Sequence, residues 1–137
     1  MRLKFLTLTG FCAFALISLN AAEKVDVSKL PPASDKKELT FDKDIKSMVE
    51  DSCLKCHGVE KPKSKYRVDS REAFIKGGDS EIAAVIAGKS AESPVIHMVA
   101  DLIEEMEMPP IDKREKYVAL TKEQIGILRA WIDQGAK

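Results

Sequence analysis

The sequence is poor in several things at once. Of 137 residues, three are cysteine and two are histidine. Eight are aromatic, as five Phe, two Tyr and one Trp. So little aromatic volume leaves a domain of this size short of large apolar side chains, and something else is expected to help fill its middle. Neither charge is in excess, with 22 Lys and Arg against 22 Asp and Glu, which speaks against the basic surplus of a nucleic-acid binder. No apolar run reaches the roughly 18 residues of a membrane span. Strand-like alternation never lasts more than a few residues, and no internal repeat is present. The apolar share of 45% is that of a globular chain, and the length suits one domain.

What is there begins with an address. Met1-Arg2-Leu3-Lys4 is basic, Phe5 to Leu19 is uncharged and rich in large apolar residues, and Asn20-Ala21-Ala22 supplies small residues before charge returns. That order describes a secretory signal peptide over residues 1–22, cut after Ala21 or Ala22. An uncleaved anchor is the alternative, disfavoured by the shortness of the run. Cys12 is a poor lipidation site because Phe11 stands where a small residue is expected. Export, and a periplasmic location, are therefore expected. Cleavage removes Arg2 and Lys4, leaving 20 basic residues against 22 acidic ones, and leaves Cys53 and Cys56 as the only cysteines.

Residues 23–40 are polar, contain Pro31-Pro32 and lack an apolar period, which reads as a flexible linker. From Phe41 the pattern changes. Phe41, Ile45, Met48 and Val49 mark one face of a helix running to about Asp51, with Thr40 or Asp42 as N-cap. Residues 58–69 read as a surface loop. Ser70 to Lys76 predicts a short helix stopped by Gly77-Gly78, and Asp79-Ser80 a second one carrying Ile82, Val85 and Ile86 and ended by Gly88. Ser93-Pro94 pairs an N-cap with a proline at the first helical position. The stripe Val95, Val99, Leu102, Ile103, Met106 extends that helix to Pro109-Pro110. Thr121…Gln124 forms a capping box for a last helix with Ile125, Leu128, Trp131 and Ile132 inward, closed at Gly135. The expected class is all-α, with a domain over residues 41–137.

Cys53-Leu54-Lys55-Cys56-His57 is C-x-x-C-H, the attachment sequence of c-type haem. Two thiols one turn apart can add to the two vinyl groups at the porphyrin edge, and the next side chain then lies where its imidazole can ligate iron. Three other readings compete. A thioredoxin-like pair belongs in a βαβ setting that the pattern lacks. A zinc site needs four ligands, and beyond this motif only His97 remains. A Cys53–Cys56 disulfide closes a loop too small to stabilise much. One covalent haem c also agrees with export, because attachment takes place beyond the cytoplasmic membrane.

For the other face of the iron the candidates are Met48, Met98, Met106, Met108 and His97. Met48 and Met106 fall in register with apolar stripes and are expected to pack. Met98 and His97 lie within a helix, where a histidine is usually at the surface or hydrogen-bonded. Met108 immediately precedes Pro109, which biases it towards extended backbone on a stiff loop, and it is favoured over His97 or an open position.

Taken in order, these pieces resemble the planctomycete-type cytochrome c domain, of the class I cytochrome c fold. The matching segments are Phe41-Asp42-Lys43-Asp44-Ile45, Cys53-x-x-Cys56-His57-Gly58, Val68-Asp69-Ser70-Arg71-Glu72-Ala73 and Gly77-Gly78. Gly88, Ser93 through Ile96, Met108-Pro109-Pro110 and Trp131-Ile132-x-x-Gly135-Ala136 follow, so the likeness covers residues 39–136. The resemblance implies a small helical domain wrapped around one haem held by Cys53 and Cys56, with His57 proximal and Met108 distal. It also implies that the first and last helices cross with Trp131 near their contact. Two departures stand out. Residues 111–119 form a long charged link that bears on how firmly Met108 is held, and Lys63-Ser64-Lys65-Tyr66 lacks glycine.

A haem with both axial positions filled exchanges single electrons and binds no substrate, so the expected role is a periplasmic electron carrier, not an enzyme, serving redox partner proteins. No nucleic acid is expected as partner, nor a membrane span after cleavage, though an uncleaved leader would tether the N-terminus. The alternatives are a haem peroxidase or gas sensor with a displaceable Met108, and a haem-free binding module built on a Cys53–Cys56 disulfide. Lys55, Lys61, Lys63 and Lys65 beside the motif, and Asp101, Glu104, Glu105 and Glu107 before Met108, are charge runs equally suited to orienting a partner or to solvation.

Overall fold

The computed structural model describes residues 25–137, so the leader assigned to residues 1–22 and Cys12 lie outside the described residues. Four α-helices are present, with no strand among the described residues: α1 (Lys46–His57), α2 (Arg71–Lys76), α3 (Pro94–Val99) and α4 (Lys122–Asp133). The all-α class is therefore observed. No helix of the described residues is long and apolar enough to cross a membrane.

The first helix begins and ends differently from its apolar period. A wide π-type turn, Phe41–Ile45, leads into α1, and its backbone is closed reciprocally at the start. Thr40 N–H donates to the Asp44 carboxylate at 2.9 Å, and Asp44 N–H donates to the Thr40 carbonyl at 3.0 Å. Thr40 is thus the N-cap of the turn through its backbone, while its hydroxyl is buried without a partner. Instead of stopping near Asp51, α1 runs through the whole motif to His57 and ends at Gly58. Its second half buries little, which is why the apolar stripe faded before the helix did.

The last helix forms as its sequence demands. Thr121 and Gln124 make the full capping box, and Leu128, Trp131 and Ile132 are completely buried. Phe41 packs between Phe74 and Trp131, with ring centroids 5.9 and 5.8 Å away. The start of the first helical segment therefore meets α4 at Trp131. Phe41 N–H and the Trp131 indole N–H both donate to the Lys137 carbonyl, at 3.0 and 2.7 Å. Met48, Val49, Ile96 and Val99 complete the core.

Three expectations differ from what is seen. Residues 79–88 form turns instead of a helix. Ile82 is 62% exposed and Ile86 is at the surface, while Ala84 and Val85 are buried and donate to the Ile75 carbonyl. At Gly77 φ is +86°, and a Cβ would lie 2.2 Å from the Ile82 carbonyl, so the chain doubles back tightly after α2. Helix α3 ends at Val99 instead of continuing to Met106. Asp101 adopts φ +56°, Leu102 and Ile103 are half-buried, and Met106 is 44% exposed instead of packed. The Ser93 hydroxyl also turns away from the helix it precedes, donating to the Lys89 carbonyl and accepting from Ile86 N–H, both at 2.9 Å.

The third difference is the segment read as a linker. Its described part lies along α4. Ser34 N–H donates to the Gly126 carbonyl at 2.9 Å, Gln134 donates from its amide to the Lys36 carbonyl at 2.8 Å, and Arg129 donates to the Pro31 carbonyl. Leu39 is buried in the core. On the segment's own side these ties use backbone carbonyls and amides, which no apolar period announces.

Candidate haem-attachment site

Cys53, Cys56 and His57 occupy the last turn and a half of α1. Residues three apart on a helix share a face, so the two thiols project side by side. Both are free and half-buried, and Cys53 packs against the edge of the core. Burial, with a lesser contribution from Cys56, pushes the Cys53 thiol up to about 12, so it is held as a neutral thiol.

His57 follows at the helix end. Its Nδ1 lies 3.1 Å from the Tyr66 carbonyl oxygen. A carbonyl only accepts, so Nδ1 carries the proton and Nε2 keeps its lone pair. Burial lowers the imidazole's proton affinity, partly offset by the backbone of Tyr66 and Lys63. A neutral imidazole fixed through one nitrogen is the form that ligates a metal through the other.

The loop between α1 and α2 builds this support. Tyr66 lies against His57 with centroids 5.2 Å apart and against Phe74 at 6.1 Å, and its hydroxyl donates to the Phe74 carbonyl at 3.0 Å. Burial pushes the phenol well above its ordinary range, so it remains a donor. Val68 is buried, and its N–H donates to the His57 carbonyl at 2.9 Å. Residues 58–69 are thus a surface loop only in part. The sequence could not show Tyr66 as a functional residue, because what it offers His57 is a main-chain oxygen.

Met108 stands on the separate loop after α3, half-buried and packed against the same core as Cys53. Its N–H donates to the Met98 carbonyl at 3.0 Å. Met48 is buried within the core, as expected. The rival of Met108, His97, has Nε2 engaged at 2.7 Å with the Ala91 carbonyl. Among the described residues there is no cluster of three or more His, Cys, Asp or Glu able to hold a metal ion.

The donor set suits a haem attached through thioethers. It offers two reduced thiols on one helical face, an adjacent imidazole whose Nε2 keeps its lone pair, and a half-buried thioether on another loop. The lysines near the motif divide. Lys55 places Nζ 5.9 Å from the Tyr117 ring, which brings the 111–119 link against α1. In the acidic run, Asp101 is paired with Arg114.

Comparison with known proteins agrees with this reading. Residues 53–112 match the family model described as Planctomycete cytochrome C, from the first motif cysteine to just past Met108-Pro109-Pro110. No curated protein and no solved structure gives a match.

Proposed function

We propose, from the match of residues 53–112 to the Planctomycete cytochrome C family model, that this chain is an exported single-haem cytochrome that carries electrons one at a time between redox partner proteins. Haem c, when bound, supplies a one-electron iron couple. The observation that carries the reading is the end of α1, where Cys53 and Cys56 share a face and His57 is already oriented by the Tyr66 carbonyl.

Each residue has a distinct task. Cys53 and Cys56 fix the group covalently, so it cannot exchange. His57 ligates through Nε2 while Nδ1–H···O=C of Tyr66 holds its plane. Met108 offers a thioether, which favours the reduced ion over bis-imidazole ligation. Ile45, Val49, Leu128 and Trp131, all buried, and half-buried Leu102 give a low-dielectric surround that disfavours extra positive charge. The tie between His97 and Ala91 supports a carrier over a peroxidase or sensor, because the one histidine outside the motif already has a partner. Export rests on the leader at residues 1–22 and on the need for covalent attachment outside the cytoplasm.

Potentiometric titration of the purified holoprotein, followed by absorbance, tests this reading. A single one-electron transition is expected, with the reduced wild type resisting carbon monoxide under conditions where Met108→Ala binds it. More than one transition would contradict the single haem. Equal carbon monoxide uptake by both proteins would contradict ligation by Met108.

A further inference from the structure

The loop bearing Met108 has an unusual difficulty. Pro109 and Pro110 carry no backbone N–H, so neither can donate a bond that would hold the chain in place. Helix α3 has already ended at Val99, and after half-buried Leu102 and Ile103 the chain approaches Met108 through exposed Glu104, Glu105 and Met106. Before Met108, one tie is its own N–H to the Met98 carbonyl at 3.0 Å.

The tie on the other side comes from Arg114, in the charged link that distinguishes this sequence. Its Nε donates to the Pro109 carbonyl at 3.0 Å. Its two terminal nitrogens form a fork on Asp101, at 2.8 and 2.5 Å. Asp101 is the residue whose left-handed backbone turns the chain away from α3. One guanidinium therefore closes a ring from the end of α3, through Asp101 and Arg114, to the carbonyl of Pro109, the residue that follows Met108.

We propose that Arg114 is the positioning residue for the distal ligand, holding Met108 in place by bracing the Pro109 carbonyl against Asp101. The inference rests on Met108 being an iron ligand, as proposed above. Arg114 touches neither the iron nor Met108 in this account, and it acts only through the main chain. The planar fork is essential to the geometry. Lysine offers one point charge and cannot reach a carbonyl and both carboxylate oxygens at fixed angles. The Arg114–Asp101 side chains are 26% and 40% exposed, and a pair so placed adds little to global stability. Its effect belongs to the loop, which makes it separable from folding.

The test uses the holoprotein and measures how fast carbon monoxide binds the reduced form, a rate limited by departure of Met108. Thermal unfolding followed by circular dichroism is measured alongside. Arg114→Ala is expected to bind carbon monoxide about tenfold faster than wild type, the scale for losing one charge-assisted hydrogen bond. Its unfolding midpoint is expected to stay close to wild type. Arg114→Lys is expected to behave like Arg114→Ala despite keeping the charge, and Asp101→Asn to add little in an Arg114→Ala background. Lys113→Ala, one residue away and paired with Asp112, serves as control and is expected to leave the rate unchanged.

Arg114→Ala and Arg114→Lys binding at the wild-type rate, while Met108→Ala binds fast, would overturn the positioning role and leave the ligand in place. A wild type as open as Met108→Ala would overturn the ligand assignment, and the positioning role with it. Should Arg114→Ala fail to accumulate, Arg114→Lys carries the same two outcomes.

Discussion

Cys53 is buried enough that its thiol does not ionise until about pH 12, whereas an exposed cysteine ionises near 8.5. In the haem-free chain this has a definite sign. As pH rises through the ordinary thiol range, the unfolded chain loses the Cys53 proton and the folded chain does not. Stability from this group is complete below about pH 8.5 and is lost progressively as pH climbs towards 12. At pH 8 the folded thiol is almost wholly protonated and therefore a poor nucleophile. Iodoacetamide at pH 8, read by peptide mapping, is expected to label Cys53 at least about a hundredfold more slowly in the folded haem-free chain than in urea. Equal rates would mean that the burial of Cys53 is wrong.

Among the elements, the segment before the domain and α4 are coupled by a close approach of backbones. Ser34 N–H donates to the Gly126 carbonyl, and a Cβ at Gly126 would lie 2.7 Å from the Pro32 carbonyl. Alanine in a helix interior ordinarily gains about 1 kcal/mol over glycine. Here the contact is with main chain that cannot swing aside, so Gly126→Ala is expected to lift residues 31–34 off α4 despite that gain. Limited trypsin digestion of the holoprotein should then cut at Lys29 and Lys36 faster than in wild type, and an unchanged pattern would refute the docking. Thr121→Ala, which removes half of the capping box, is expected to cost about 1 kcal/mol in urea unfolding without altering those cleavages.

These elements also show where sequence is a good guide and where it is not. Helix α4 was legible in full because cap, stripe and stop agree along one continuous stretch. The attachment motif was legible because its chemistry requires a fixed local spacing. The apolar period overextends α3 because Leu102, Ile103 and Met106 continue it, while the chain reverses at Asp101, whose carboxylate pairs with Arg114 thirteen residues away. Docking of residues 31–39 and support of His57 by Tyr66 depend on main-chain atoms, to which side-chain patterns are blind.

At the scale of the whole molecule, the chain is a small helical body whose apolar centre is supplied mainly by Phe41, Phe74, Trp131 and aliphatic residues of α1, α3 and α4. The attachment motif is not in that centre but at its edge, at the end of α1, and the loops that support His57 and Met108 pack against the same core. A bound group of haem size at this edge would add the apolar volume that the sequence is short of. The most direct measurement is the intact mass, under denaturing conditions, of the protein exported from cells able to attach c-type haem. A mass equal to residues 22–137 or 23–137 plus one haem is expected, because both thioethers survive denaturation. A haem-free mass, two hydrogens short of the reduced chain through a Cys53–Cys56 disulfide, would contradict the electron-carrier account.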